Sequence, residues 1–337
     1  MGRCPLENAI AISAGRFTRG DSDDVLVVQD LGRLELSRGP GRAKTVLDLR
    51  RLALLRLGGT SFRTVWQSDP FNCTSSSASE IAGTSWTAGD IDGDGLSELL
   101  LFTADSCTVL RFGNDTATAT VYGMGGAWVE AGAVCDVNGD SLPEVATMEL
   151  SRQDTAKTKR LLRLYRMTGT GLVSCGPCSV SVNPGADVRM ELLGSARLAD
   201  YPGELPVVAS IYPTLRPSAY KALYWPRQDS LFLTDNPFPW QEWFSKTRVL
   251  PAGELTLFNV GDTLVGYGYF VPGARPSGPS QSFAALDDGE WRLLPLQDDA
   301  RYVSGPVCRF TRNGVPGWLE LRDNLFYFYP GEIFRWR

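Results

Sequence analysis

Between Ala88 and Phe102 the chain reads AGDIDGDGLSELLLF, with four carboxylates, Asp90, Asp92, Asp94 and Glu98, running straight into an apolar strand pattern. Around this stretch, short alternating and β-branched runs predict four antiparallel strands at Ile81–Gly89, Glu98–Thr103, Thr108–Phe112 and Thr118–Tyr122. Gly, Asp, Asn and Ser turns part them, and no amphipathic helix interrupts the series.

The unit recurs. Laid over AVCDVNGDSLPEVATME, the acids at 90, 92, 94 and 98 fall on Asp136, Asn138, Asp140 and Glu144. Looser copies begin near 16, 197, 257 and 309, and Arg-Phe-Thr-Arg stands both at 16–19 and at 309–312. Repeats of about 40–60 residues, each made of four short strands, predict an all-β fold. The expectation is a single β-propeller domain over residues 1–337 with six four-stranded blades; the competing arrangement is a large β-sandwich or a tandem pair. The first unit is longer than the rest, and residues 31–52 predict an additional hairpin with Gly39, Pro40 and Gly41 at its turn.

With these motifs in view, the chain resembles the FG-GAP or VCBS repeat of integrin-alpha-type β-propellers, specifically at 88–102 and 134–149 and more loosely over nearly all of its length. The resemblance implies that the acidic turn joins the first and second strands of a blade and holds calcium. The residues argue for the same chemistry. In 90–98, positions 1, 3, 5 and 9 carry the side-chain oxygens of Asp90, Asp92, Asp94 and Glu98, and position 7, Leu96, offers a carbonyl. Asp136, Asn138, Asp140, Leu142 and Glu144 repeat the set. Such oxygen-rich turns suit Ca²⁺, which accepts about six to eight oxygens, so two ions are expected. An EF-hand is excluded, because its twelfth position would be Leu101 or Thr147 rather than Glu. Arg16, Arg197 and Arg309 stand where Asp90 and Asp136 do. Either they supply a guanidinium in place of the ion, or they point to solvent.

Composition narrows the function. A formal charge of -5 gives no basic field for nucleic acid, and no apolar run is long enough for a membrane span. The N-terminus shows no signal-peptide apolar core. The chain has no histidine, which excludes Ser-His-Asp, Cys-His and HExxH chemistry. The expectation is therefore that the chain is not an enzyme. It is instead expected to be a calcium-binding, secreted or cell-surface propeller that serves as an interaction, adhesion or self-assembling scaffold. Its partner would be another protein or a further copy of itself. A carbohydrate-binding propeller and a calcium-dependent hydrolase or lyase are the alternatives. Cys175 with Cys178, and Cys73 with Cys107, are candidate disulfides, which would imply an oxidising compartment. Asn72 and Asn114 head candidate glycosylation sequons. The aromatic stretch 236–246, with Phe238, Trp240, Trp243 and Phe244, either packs between blades or forms a contact patch.

Overall fold

The computed structural model describes residues 2–36, 45–72, 84–103, 105–113, 116–125, 127–151, 160–169, 171–180, 189–197, 203–211, 221–223, 249–260, 263–272, 280–287, 290–298, 300–301 and 303–335. The regular elements among them are β-strands, and every pairing between them is antiparallel. They fall into two compact units.

The first unit opens with β1 (Gly2–Arg3), followed by β2 (Ala9–Gly15), β3 (Asp24–Leu36), β4 (Thr45–Gly58), β5 (Ser61–Gln67) and the short β6 (Phe71–Asn72). Strands β2 to β5 pair in sequence, and β6 adds to β4. The next sheet is β7 (Ser85–Gly89), β8 (Glu98–Phe102), β9 (Ser106–Phe112) and β10 (Ala117–Gly123), again paired in chain order.

The packing explains why β3 and β4 carry unbroken apolar runs instead of the alternation of a half-exposed strand. Successive side chains on a strand point to opposite faces. Val25, Val27, Ala53 and Leu55 pack on one side with Phe310, Leu319, Leu321 and Phe326, whereas Leu26, Val28, Leu52 and Leu54 pack on the other with Leu99, Leu110 and Phe112. Both faces of this sheet are therefore core. Each such Val, Leu or Phe side chain contributes about 1.5–3 kcal/mol on full burial.

The long first unit is not an additional hairpin. Strands β3 and β4 prolong one antiparallel pair over residues 31–36 and 45–52, with register kept to Leu36 opposite Thr45 after a bulge between Asp30 and Gly32. The Asp30 carboxylate accepts the Gly32 N–H at 2.8 Å, and Gly32, at φ 86°, takes the left-handed conformation the bulge needs. Gly39, Pro40 and Gly41 lie outside the described residues.

The second unit holds β11 (Ala127–Cys135), β12 (Glu144–Ser151), β13 (Arg160–Thr168) and β14 (Gly171–Val180) in one sheet. A second sheet is β15 (Arg189–Arg197), β16 (Glu204–Ile211) and β17 (Lys221–Leu223). A third is β18 (Val249–Val260), β19 (Thr263–Pro272), β20 (Ser280–Asp287) and β21 (Glu290–Leu294). The first strands of these sheets are neighbours, β11 beside β15 and β15 beside β18.

The chain then completes the first unit with β22 (Val307–Arg312), β23 (Val315–Arg322) and β24 (Leu325–Pro330), and β1 adds to β24 with Gly2 opposite Phe326. One four-stranded sheet thus joins both ends of the chain. The β22–β23 connection is a two-residue turn in which Asn313 (φ 50°) and Gly314 (φ 75°) both adopt positive φ, as a type I′ hairpin requires. Arg309 consequently lies inside a strand, opposite Trp318, and not at the head of an acidic-type turn as the repeat suggested.

Leu54→Ala should lower the unfolding free energy by about 2–5 kcal/mol. Val121→Ser, at a side chain 64% exposed on β10, should change it by no more than about 0.5 kcal/mol. Urea denaturation of the two variants checks both values.

Candidate metal centre

Residues 16–23, 90–97 and 136–143 make three turns of equal length. Each runs between a residue pair held across the hairpin, Gly15 with Asp24, Gly89 with Glu98, and Cys135 with Glu144. The second residue of each turn, Phe17, Ile91 or Val137, is buried and pins the loop to the interior. The acid that closes each turn is buried as well, Asp24 at 1%, Glu98 at 2% and Glu144 at 3% exposure.

A buried carboxylate is costly unless a cation and hydrogen-bond donors meet it. Here the cation comes from the third strand of the same sheet. Arg166 is directly opposite Glu144 and bonds its Oε1. Asp24 and Glu98 lie one step before the paired residues Val25–Leu55 and Leu99–Leu110, which brings them to Arg56 and Arg111. Arg56 Nε is 3.2 Å from Asp24 Oδ1, and Arg111 Nε is 3.5 Å from Glu98 Oε1. Sequence reasoning missed these arginines, although a signal was available: Arg56, Arg111 and Arg166 are spaced 55 residues apart.

Asp24 also accepts the Thr18 hydroxyl at 2.7 Å. Burial raises its pKa above the ordinary 3.8, opposed by the Thr18 bond and by Arg56. Arg16, at the first position of that turn, is exposed. Of its two readings, the solvent-facing one holds. Arg309 is exposed too, paired with Glu332 at 3.2 Å and stacked 5.1 Å from the Trp318 ring centroid. The Arg197 side chain lies outside the described residues.

In the β7–β8 turn, ligand oxygens of Asp90, Asp92 and Glu98 all lie within 4.8 Å of one another, the one such acidic group among the described residues. Two oxygens that share a metal ion at about 2.4 Å each are separated by no more than about 4.8 Å, so these three acids could hold one. Asp90 Oδ1 accepts the Gly93 N–H at 2.7 Å. Gly93 (φ 78°) and Gly95 (φ 82°) supply the left-handed backbone that curls the loop around its acids. Asp94 is exposed and outside that group, and Leu96 is half-buried.

The β11–β12 turn has the same backbone path but a different electrostatic arrangement. Asp136 accepts the N–H groups of Gly139, Asp140 and Ser141 at 2.8, 3.1 and 2.9 Å. Asp140 accepts the Leu142 N–H and the Asn138 amide, and it meets Arg166 at 3.1 Å. The Leu142 bond, then Asn138 and Arg166, hold its carboxyl below 3.8. Leu142 itself is exposed.

A further buried acid, absent from the sequence reading, lies deeper in each of two sheets. Glu149 on β12 accepts Tyr165 Oη at 2.6 Å and Thr147 Oγ1 at 3.0 Å. Glu320 on β23 accepts the Ser304 and Gly305 N–H groups at 2.8 and 3.2 Å and Tyr329 Oη at 2.8 Å. Burial and then the Glu320 bond push the Tyr329 hydroxyl up to about 12. Both acids stand five residues into the second strand, which no motif in the primary pattern marks.

The remaining candidates change. Cys107 and Cys175 are free thiols, so neither expected disulfide forms; Cys107 is buried on β9, facing the core. Cys73, the Cys178 side chain, Asn114 and the aromatic stretch with Phe238, Trp240, Trp243 and Phe244 lie outside the described residues. Asn72 is 9% exposed, and its backbone carbonyl accepts the Thr84 N–H at 2.8 Å.

No family model matches the sequence, and no curated protein matches it. Among solved structures, the chain is similar to the exotype rhamnogalacturonan lyase YesX at 11% identity and a TM-score of 0.41. The alignment covers 96% of this chain and 65% of that one. This finding corrects the expectation that the chain is not an enzyme, which no longer stands. At that identity and TM-score, the lyase's activity is not carried over.

Two outcomes test the local chemistry. Iodoacetamide should label Cys175 in the native protein and leave Cys107 unmodified, since burial pushes the Cys107 thiol up to about 12, and mass spectrometry of tryptic peptides reads both. The folded protein keeps the Asp24 proton to a higher pH than the unfolded chain does. Its contribution to stability is therefore full below 3.8 and lost as pH rises through the folded pKa. Asp24→Asn should remove that step from a plot of unfolding free energy against pH.

Proposed function

We propose that the chain is a calcium-binding β-propeller of six blades, one per sheet, serving as a scaffold for protein contacts. The observation that carries the reading is the convergence of Asp90, Asp92 and Glu98 within 4.8 Å on a glycine-curled turn. These residues would hold the ion, and its charge would offset the mutual repulsion of the three carboxylates. Adjacent first strands and the β1–β24 pairing of the chain ends support the propeller. The extended β3–β4 ribbon supports the scaffold role. Beyond the bulge it carries Leu34, Leu36 and Val46 at 43%, 38% and 41% exposure. An insertion of this kind is where a propeller presents a contact surface to another protein or a further copy of itself.

Isothermal titration should detect Ca²⁺ binding to chelator-treated protein. At a free concentration 100-fold above Kd, the ion should stabilise the fold by about 2.7 kcal/mol. Replacing Asp90 and Asp92 together by Asn should abolish both effects. Metal-free protein that binds no Ca²⁺ and melts at an unchanged temperature in its presence would contradict the proposal.

A further inference from the structure

We infer that Arg166 is the built-in cation of the β11–β12 turn, so that this turn stays closed without a metal even though its sequence repeats the calcium pattern. Ca²⁺ does not fit there. Both oxygens of Asp136, both of Asp140 and both of Glu144 already accept a donor: three backbone N–H groups on Asp136, the Leu142 N–H, Asn138 amide and Arg166 on Asp140, and the Val137 N–H and Arg166 on Glu144. Asp136, Asp140 and Glu144 also do not bring oxygens within 4.8 Å of one another as Asp90, Asp92 and Glu98 do, and an ion shared by Asp140 and Glu144 would have to displace Arg166, which already contacts both.

The substitution of one residue makes this arrangement coherent. Where the β7–β8 turn has Asp92, this turn has Asn138, whose amide donates to Asp140 Oδ2 at 3.1 Å while its carbonyl oxygen accepts the Asp140 N–H at 2.9 Å. A carboxylate at 138 could not make that donation. Asn138 therefore removes one negative charge and adds a donor in the same step. Arg166, fixed opposite Glu144 by strand register, sets one nitrogen, Nη2, against both Glu144 Oε1 and Asp140 Oδ2. Both turns set a third-strand arginine against the closing glutamate, and in the β11–β12 turn that arginine also reaches an acid of the turn itself, Asp140.

The inference takes the β7–β8 turn as the metal-bound counterpart, but its test is read at residues 139–142 alone. Amide hydrogen exchange of the whole chain would be followed with Ca²⁺ or with EGTA, in the wild type and in the Arg166→Met and Arg166→Lys variants. The wild-type amides of Gly139, Asp140, Ser141 and Leu142 should exchange at the same rate in both buffers. Arg166→Met should speed them at least tenfold in EGTA, and Arg166→Lys, which keeps the charge on a shorter side chain, should fall between. Slowing of the wild-type amides by Ca²⁺ would overturn the inference, even if Arg166→Met fails to fold. Unchanged exchange in a folded Arg166→Met variant would overturn it too. Loss of any Ca²⁺ response at residues 93–94 would instead count against the proposed metal centre and leave the reading at 139–142 intact.

Discussion

A carboxylate buried where a hairpin turns back into its second strand must have a positive charge beside it, and much of the described structure is arranged around that requirement. Asp24, Glu98 and Glu144 close three equal turns, and each meets an arginine from the third strand of its own sheet. The contact ties the turn to a strand that is not its neighbour in the hairpin, so turn, second strand and third strand are fixed relative to one another. Replacing such a pair by apolar residues can be neutral, but deleting one partner leaves a stranded charge costing about 3–5 kcal/mol. The pairs match the register that packing sets: a slip by one residue would turn each acid away from its arginine.

The apolar packing is the complementary constraint. Because Val25 and Val27 face one core and Leu26 and Val28 the other, the sheet of β2 to β5 tolerates no polar face, and its exposed chemistry is confined to turns and edges. The acidic turns are among the places where the chain can vary without disturbing those cores. The β7–β8 turn keeps acids at its first, third, fifth and closing positions, the β2–β3 turn has Arg16, Thr18, Gly20 and Asp24 at the same places, and the β11–β12 turn answers the pattern with Asn138 and Arg166.

Much of this was legible in the primary pattern. The strands around the first acidic turn, the turn itself and its closing glutamate follow from glycine placement and the apolar run after Glu98, because both are local. The arginine partners were not legible, since finding Arg166 opposite Glu144 requires the β12–β13 register, which is decided by packing. The second Arg-Phe-Thr-Arg misled for a related reason: Phe17 and Phe310 are both buried, but the Asn313–Gly314 turn draws Arg309 into a strand while Arg16 stays in a loop. The insertion was misread because alternation alone cannot distinguish a new hairpin from the prolongation of an existing one. The disulfides failed because the position of Cys107 on a core-facing strand is set by tertiary packing.

The claim that third-strand arginines hold the buried closing acids is tested most directly by a double-mutant cycle on Asp24 and Arg56, a pair with no metal-turn acids around it. Unfolding free energies of the wild type, Asp24→Asn, Arg56→Met and the double variant should give a coupling above about 1 kcal/mol, within the range seen for contacting residues in one network. Additivity to within about 0.3–0.5 kcal/mol would show that the two side chains act independently and would contradict the account.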